Sequence, residues 1–285
     1  MKKIVGGAIA ALSAVGAFQL LGPVQLGLAQ QAAPGQKTEL TPAQATAPAG
    51  GSANADTKKG KGRGRGPARP QGPTPRLPDG SVDLSGVWSG GGPIGDVAQG
   101  LMPGEAIEMT AEGKKIFESR ESKDDPEANC LPTGVPRIAP YPWRIVQQGK
   151  THIFFLFEGN IHSFRQIFLN QTKHPDDPDP TWYGHSIGKW EGDTLVVDTI
   201  GFNDKFWFDF RGHPHSEQLH TIERYTRVDL GTLENETTII DPVMYVKPFK
   251  IKFTATLRPN EELMEYICQE NQQDAQHLRG KAGLP

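Results

Sequence analysis

The stretch GHSIGKWEGDTLVVDTIGF, residues 184–202, consists of two runs in which polar and apolar residues alternate, joined by a Glu-Gly-Asp turn. Alternation with a period of two is typical of β-strands, and a short Gly-containing turn between two such runs predicts a β-hairpin. The first run carries His185, and the apolar part of the second carries Asp198. Whether the hairpin brings these two side chains together depends on its pairing register.

Two registers place His185 and Asp198 on the same face. A two-residue loop at 191–192 sets them directly opposite each other, whereas a loop at 192–193 sets Ile187 opposite Asp198 and leaves His185 one diagonal step away. A three-residue loop would separate them to opposite faces. Asp198 alternates with apolar residues, so we expect it to point into the core, where an unpaired carboxylate is costly and a histidine partner is favoured. Such a pair serves equally well as a catalytic base or as a structural contact.

Strand-like segments continue on both sides of this hairpin, each bounded by Gly, Pro, Asn or Asp. They are DLSGVWSG (83–90), RIVQQGKTHIFFLFEG (144–159), IHSFRQIFLN (161–170), LHTIERYTRV (219–228), LENETTIID (233–241), YVKPFKIKFTATL (245–257) and ELMEYICQE (262–270). One helix is predicted over 110–121, with Thr110 as its N-cap. No alternating helices are available to cover a parallel sheet. The sequence therefore predicts a mainly β domain, an antiparallel meander of eight or nine strands that closes into a β-barrel, with one short N-terminal helix.

Four segments resemble known families. DLSGVW ahead of a β-meander resembles the Gly-x-Trp opening strand of calycin (lipocalin-like) barrels. DPEANCLPTGVPR (125–137), PTWYGHSIGKWEGDTLVVDTIGFND (180–204) and GHPHSEQLHTIERY (212–225) resemble the signature of an uncharacterised family of secreted bacterial β-rich proteins, over roughly residues 76–278. The resemblance implies a calycin-like barrel and carries over no activity, so the chemistry has to be argued from the residues.

The first 78 residues are predicted to lie outside the folded domain. Two lysines precede a low-polarity run, and Gly27-Leu28-Ala29 offers a small-x-small cleavage site, which is typical of a secretory signal peptide over 1–29. A single membrane anchor is the alternative, because the run is nearly long enough to span a bilayer. Residues 30–78, rich in Ala, Pro, Gly and basic residues, predict a disordered linker. Residues 79–285 then form one β-barrel domain of an exported, periplasmic or extracellular protein, with no stable membrane insertion after cleavage.

Charge is divided unevenly along the chain. The linker carries eight basic and two acidic residues, a net +6, and taking this and the two N-terminal lysines from the total of −3 leaves −11 for the domain. An exported chain with an acidic domain argues against nucleic acid as a partner. The basic linker favours a solvated tether or weak adhesion to anionic envelope surfaces. Nothing in the sequence indicates the oligomeric state.

The two cysteines, Cys130 and Cys268, predict one disulfide, because the compartment of an exported protein is oxidising. Closing a loop of this length would stabilise the fold by at most ~5 kcal/mol in the chain-entropy description. Two buried free thiols are the alternative.

Histidine and acidic residues concentrate around the hairpin and after it. We predict catalytic roles for Tyr183, His185, Asp198, His220 and Glu223, and ligand binding by Arg165, Asn203, Asp204, Trp207, His213, His215, Glu217 and Arg224. The His-x-His at 213–215 is similar to the metal-binding face of cupins, but the Glu expected after it is absent, and His220 would lie on the opposite strand face from His215. We therefore predict no metal and no cofactor, with a cupin-like metal-dependent enzyme as an alternative. HPDDPDPT (174–181) is interpreted as a stiff turn.

Two functions fit these residues. The segment FNDKFWFDFRGHPH (202–215) is aromatic without a strand pattern, which is typical of a loop that covers a ligand mouth. The first function is a cofactor-independent lyase, isomerase or hydrolase whose His–carboxylate pair acts on a small, partly apolar or glycoside-derived compound, with Arg165 or Arg224 holding an oxyanion. The second is a lipocalin-like protein that only binds and carries its ligand. Histidine and acid side chains on the outer surface would favour the second function in place of the first.

We expect the exported protein to begin near Gln30, because the small-x-small site at 27–29 is where a signal peptidase would cut. Intact-mass analysis of protein recovered from the cell envelope measures this directly. A mass that still includes residues 1–29 would contradict the prediction.

Overall fold

The computed structural model describes residues 69–137, 141–159, 162–273 and 277–283. The predicted signal peptide and residues 30–68 of the predicted linker lie outside these ranges. Residues 69–78, the end of that linker, lie against the barrel, where Leu230 N–H donates to Gly72 O and Arg76 pairs with Asp193. None of the helices in the described ranges is long and apolar enough to cross a membrane.

In the described part of the chain, nine strands form one closed barrel, in which consecutive strands are neighbours and the last returns to the first. The strands are β1 Gly86–Gly90, β2 Trp143–Gln148, β3 His152–Phe157, β4 Ser163–Phe168, β5 His185–Glu191, β6 Thr194–Ile200, β7 His220–Asp229, β8 Thr232–Ile240 and β9 Phe249–Leu257. The helix α1 spans Ala111–Ser119, and short 3-10 turns span Val97–Gly100, Ser122–Asp124, Glu127–Asn129 and Cys268–Asn271. The predicted mainly β barrel with one short helix is confirmed.

Two local predictions are confirmed as well. Thr110 caps α1, because its Oγ1 accepts a hydrogen bond from Gly113 N–H at 3.0 Å. Cys130 and Cys268 form a disulfide with their Cα atoms 5.6 Å apart. The bond ties the Pro-rich loop 125–137 to the C-terminal segment.

Two strand predictions are wrong. β4 and β5 pair in parallel, through Ile167 with Ser186 and Phe168 with Ile187, so the barrel is not a pure antiparallel meander. A parallel pair needs a crossover, which the connection 169–184 provides. The segment 262–270 forms no strand, because β1 and β9 already close the barrel and leave no free edge for it.

The hairpin adopts the second of the two predicted registers. Ile187 lies opposite Asp198, and His185 lies opposite Ile200. The loop is formed by residues 192–193, and Gly192 has a φ of +62°, which glycine adopts without a steric penalty. His185 and Asp198 therefore share one face of the sheet.

Side chains fill the barrel and a second core beside it. The barrel core includes Trp88, Trp143, Phe155, Tyr225 and Leu233, each at most 1% exposed. The aromatic segment predicted to cover a ligand mouth is itself buried, because Phe202, Phe206 and Phe208 pack with Ile239, Phe249 and Ile251 in the second core. The segment is therefore part of the core and does not cover an opening.

An ion pair lies inside the barrel. The Arg165 guanidinium on β4 hydrogen-bonds to Glu223 on β7, to Ser186 Oγ at 3.0 Å and to Thr199 Oγ1 at 2.7 Å. The second oxygen of Glu223 accepts from the Tyr225 hydroxyl at 2.6 Å. Arg165 and Glu223 are 1% and 0% exposed, so these partners take the place of water around both charges.

We expect Glu223→Ala to lower the free energy of unfolding by about 3–5 kcal/mol, because it leaves the Arg165 charge buried without its counter-ion. The matched control is Glu234→Ala, which breaks a half-exposed pair with Lys252 and should cost less than about 1 kcal/mol. Urea denaturation measures both. Equal losses in the two variants would contradict the prediction.

Candidate functional site

The outer face of β5, β6 and β7 carries three histidines around one carboxylate, which we call the histidine cluster: His174, His185, Asp198 and His220. Asp198 Oδ1 lies 2.9 Å from His174 Nε2 and 3.0 Å from His220 Nε2. His174 Nδ1 lies 2.8 Å from His185 Nδ1. His174, from the connection 169–184, therefore links the carboxylate of β6 to the histidine of β5.

The expectation that Asp198 faces the core is wrong. Leu195, Val197 and Thr199 fill the inner face of β6 and are fully buried, whereas the Asp198 side chain is 43% exposed. The prediction failed because apolar residues occupy both faces of this strand, so their alternation does not mark the inside. His185 and Asp198 do share the outer face, but their connection runs through His174.

The cluster favours a charged acid and a neutral base. Hydrogen bonds from His220 and His174 hold the pKa of Asp198 below its usual value, although partial burial opposes them. Burial, followed by the neighbouring His174, lowers the pKa of His185. At neutral pH Asp198 is therefore a carboxylate, and the His185 ring is uncharged.

Two hollows flank the cluster on the outside of the barrel. The first, which we call the aromatic hollow, measures about 560 Å³ and is lined by Ser163, Phe164, Phe168, Pro175, Trp182, Tyr183 and His185, among others. The second, which we call the histidine groove, measures about 800 Å³ and is lined by His174, Pro175, Ile187, Val196, Asp198, Ile222 and Arg224, among others. Pro175 lines both, so the two hollows are neighbours.

The aromatic hollow lies along the parallel join between β4 and β5. Phe164 is 59% exposed, and Phe168 stacks on the His185 ring with centroids 5.1 Å apart and planes 16° from parallel. Tyr183 and Ser163 add polar groups, with their hydroxyl oxygens 2.8 Å apart. Burial raises the pKa of Tyr183 to about 12, which keeps its phenol protonated.

The other predicted site residues lie in several places. Arg165 and Glu223 pair with each other inside the barrel, and Arg165 also lines the aromatic hollow. Arg224 lines the histidine groove and pairs with Glu191 at 2.9 Å. Six residues lie along 203–217 and line neither hollow: Asn203, Asp204, Trp207, His213, His215 and Glu217. The structure thus brings together His185, Asp198 and His220, with Tyr183, Arg165 and Arg224 in the adjoining hollows.

The two histidines of the His-x-His motif occupy separate environments. His213 Nδ1 lies 2.6 Å from the buried Asp209 carboxylate, which also accepts from Val97 N–H at 2.6 Å. The His215 ring packs on Phe206 with centroids 3.7 Å apart. A metal would need both imidazoles to converge on one point. The arrangement instead gives both histidines roles in packing.

One described group has spacing compatible with a metal ion. Potential ligand atoms of Asp96, Asp209 and His213 lie within 4.8 Å of one another. Each carboxylate already accepts hydrogen bonds, Asp209 as above and Asp96 from Arg211 and from Ala98 N–H, each at 2.8 Å. We assign the group a structural role, in fixing the 202–219 segment to the 3-10 turn at Val97–Gly100.

Sequence reasoning missed His174, Phe168 and Trp182. His174 begins the Pro-rich stretch that was interpreted as a stiff turn, and Phe168 and Trp182 were not singled out as site residues. Periodicity could not have identified His174 and Trp182, because the crossover that contains them has no strand pattern. The one local sign is a histidine followed by turn-forming residues ten positions before the predicted hairpin.

No family model matches the chain, and no similar protein was found among curated proteins or among solved structures. The histidine cluster and the aromatic hollow are therefore the features that indicate a function.

Acid should destabilise the fold in part through His215. Burial lowers its pKa to about 3, whereas an unfolded histidine titrates near about 6.5. Between these values the unfolded chain binds a proton that the folded protein excludes, so stability falls as the pH drops below about 6.5.

We expect His215→Phe to remove about 2–3 kcal/mol of the loss in free energy of unfolding between about pH 7 and about pH 4.5. Urea denaturation at the two pH values measures this loss, and the exposed His277, changed to Gln, provides the control. Losses of equal size in the wild type and His215→Phe would refute the assignment.

Proposed function

We propose that the domain, once exported, binds a small, partly apolar, ring-containing molecule in the aromatic hollow. The observation that carries this proposal is an open hollow with aromatic and proline walls on the outer face of the barrel. Its volume of about 560 Å³ falls in the size range of small-molecule sites. Exposed aromatic side chains grouped in this way are typical of ligand-binding surfaces.

The chemistry of the walls supports a ring-shaped ligand with a polar edge. Phe164, Phe168 and Trp182 offer aromatic faces, which favour stacked or edge-on contact with flat rings. Tyr183 and Ser163 offer hydroxyl groups, and His185 offers a ring nitrogen. An aromatic compound, a lactone or a glycoside-derived ring with oxygen substituents would use both kinds of wall.

Binding on the outside differs from the lipocalin-like alternative, in which the ligand enters the barrel. The interior here is occupied by Trp88, Trp143, Phe155 and Tyr225, together with the Arg165 ion pair. The outward placement of the histidines and Asp198 also favours binding over chemistry inside the barrel. Export is supported by the disulfide, which persists in oxidising compartments.

The dye 1-anilinonaphthalene-8-sulfonate, an aromatic anion, provides a test. We expect saturable binding that Phe164→Ala weakens about three- to tenfold, because the variant removes one aromatic wall. Phe164 is 59% exposed, so its truncation should leave the fold intact. Fluorescence titration measures the dissociation constant.

The matched control is Val246→Ala, which truncates an apolar side chain that is 65% exposed and lines neither hollow. Its dissociation constant should equal that of the wild type. Equal affinity in wild type and Phe164→Ala would rule out the aromatic hollow as the binding site.

A further inference from the structure

A continuous line of hydrogen bonds joins the histidine groove to the aromatic hollow. It runs from Asp198 Oδ1 to His174 Nε2 over 2.9 Å, and from His174 Nδ1 to His185 Nδ1 over 2.8 Å. Asp198 and His174 line the groove, and His185 lines the hollow. Asp198 and His174 in the groove therefore determine the tautomer of His185 in the hollow.

The carboxylate fixes where the protons lie along this line. An ionised carboxylate only accepts hydrogen bonds, so His174 donates through its Nε2–H. When the remaining nitrogen of His174, Nδ1, carries a lone pair, it accepts from His185 Nδ1–H. A neutral imidazole has one proton, so His185 Nε2 is left with a free lone pair.

The geometry directs that lone pair away from the histidine groove. The two nitrogens of an imidazole point to opposite sides of the ring, and Nδ1 faces His174. Stacking on Phe168 fixes the plane of the ring. His185 Nε2 has no hydrogen-bonding partner within the described ranges, so it is free to meet a bound molecule.

We propose that His185 is a catalytic base, whose Nε2 removes a proton from a carbon next to a carbonyl group of a ring-containing molecule in the aromatic hollow and returns it elsewhere on that molecule. This inference rests on the proposed function, because the substrate has to occupy the hollow. His174 and Asp198 are positioning residues, which set the tautomer and orientation of His185 without touching the substrate.

The proposed reaction balances without a cofactor. The C–H bond breaks, its proton forms the imidazolium of His185, and its electron pair becomes the enolate of the neighbouring carbonyl. The imidazolium then returns the proton to a different carbon on the same side of the molecule, which gives an isomer. The negative charge of Asp198, transmitted through His174, stabilises the imidazolium while it exists.

The hollow also contains a group suited to the enolate oxygen. The Tyr183 phenol stays protonated at neutral pH and can donate its hydrogen to an oxyanion. Ser163 Oγ, 2.8 Å from the phenol oxygen, can then donate in turn to Tyr183. The polar groups of the hollow thus match the two ends of an enolisation, a base at one end and a hydroxyl donor at the other.

The pH dependence of this base reflects several neighbours. The titratable or charged side chains around His185 are His174, Asp198 and His220 on the groove side and His162, Arg165, Asp179 and Tyr183 around the hollow. Arg165 is neutralised by Glu223 inside the barrel. The pKa of His185 is lowered, so the base should stay active down to a lower pH than a free imidazole would.

The probe for this activity is 5-nitrobenzisoxazole, a flat aromatic compound with one acidic C–H. Removal of that proton breaks its N–O bond and gives a coloured cyanonitrophenolate, so one base suffices and no co-reactant is needed. We expect the wild type to convert it with a rate that falls about hundredfold in His185→Gln. His277→Gln, which changes an exposed histidine outside both hollows, should retain the wild-type rate.

Asp198→Asn tests the positioning role. The amide keeps an acceptor oxygen but removes the charge, so the rate should fall about ten- to hundredfold and the apparent pKa of the base should move further down. A purely structural Asp198 would instead lower the melting temperature and leave the pH profile of the rate unchanged. That result would overturn the role given to the carboxylate.

A second measurement needs no substrate. Nitrogen NMR of the histidine rings should find His185 protonated at Nδ1 and unprotonated at Nε2 in the wild-type protein. A proton on Nε2 at neutral pH, or conversion of the probe at the same rate in His185→Gln, would refute the proposal. Absence of conversion by a wild-type protein that binds the dye in the hollow would also refute the proposal. Equal affinity of the dye for the wild type and Phe164→Ala would instead refute the proposed binding site itself.

Discussion

The buried ion pair between Arg165 and Glu223 is the interaction on which the rest of the barrel depends. β4 and β5 run parallel and pair through two residues on each strand, so the backbone ladder holds this join weakly. The Arg165 guanidinium reaches from β4 to Ser186 on β5, Thr199 on β6 and Glu223 on β7. Side-chain hydrogen bonds therefore connect four strands where backbone hydrogen bonds are fewest.

The weak join and the outer site have a common origin. Parallel strands require a crossover, and the connection 169–184 brings His174 against β6 and Trp182 against the hollow. The chain enters β5 through Gly184, where φ is +64° and a Cβ atom would lie 2.6 Å from the carbonyl oxygen of Ile200. Glycine there lets the crossover end close to β6 and places His185 at the first position of its strand.

Local sequence patterns predicted the features that depend on neighbouring residues, such as turns and caps. They failed for the features that depend on the order and direction in which strands pair. The alternation around Gly192 predicted the hairpin and limited its register to a few choices, and Thr110 predicted the start of the helix. The crossover could not be predicted, because a Pro-rich stretch indicates a turn but not the direction of the next strand. The outward position of Asp198 followed from that topology, since β6 carries apolar residues on both faces and the crossover covers the outer one. His174 was missed for the same reason.

Burial also decides which of the predicted acids can take part in chemistry. Glu223 was predicted beside His185 as a catalytic group, yet it is fully buried and its oxygens are taken by Arg165 and Tyr225. A carboxylate held in this way cannot exchange a proton with a ligand without leaving the Arg165 charge unpaired. Asp198 keeps 43% of its side chain exposed, and its hydrogen-bonding partners are the imidazoles of His174 and His220. Inside the barrel, the pairing of Glu223 with Arg165 therefore stabilises the fold. On the outer face, the pairing of Asp198 with histidines leaves an acid and a base accessible to a ligand.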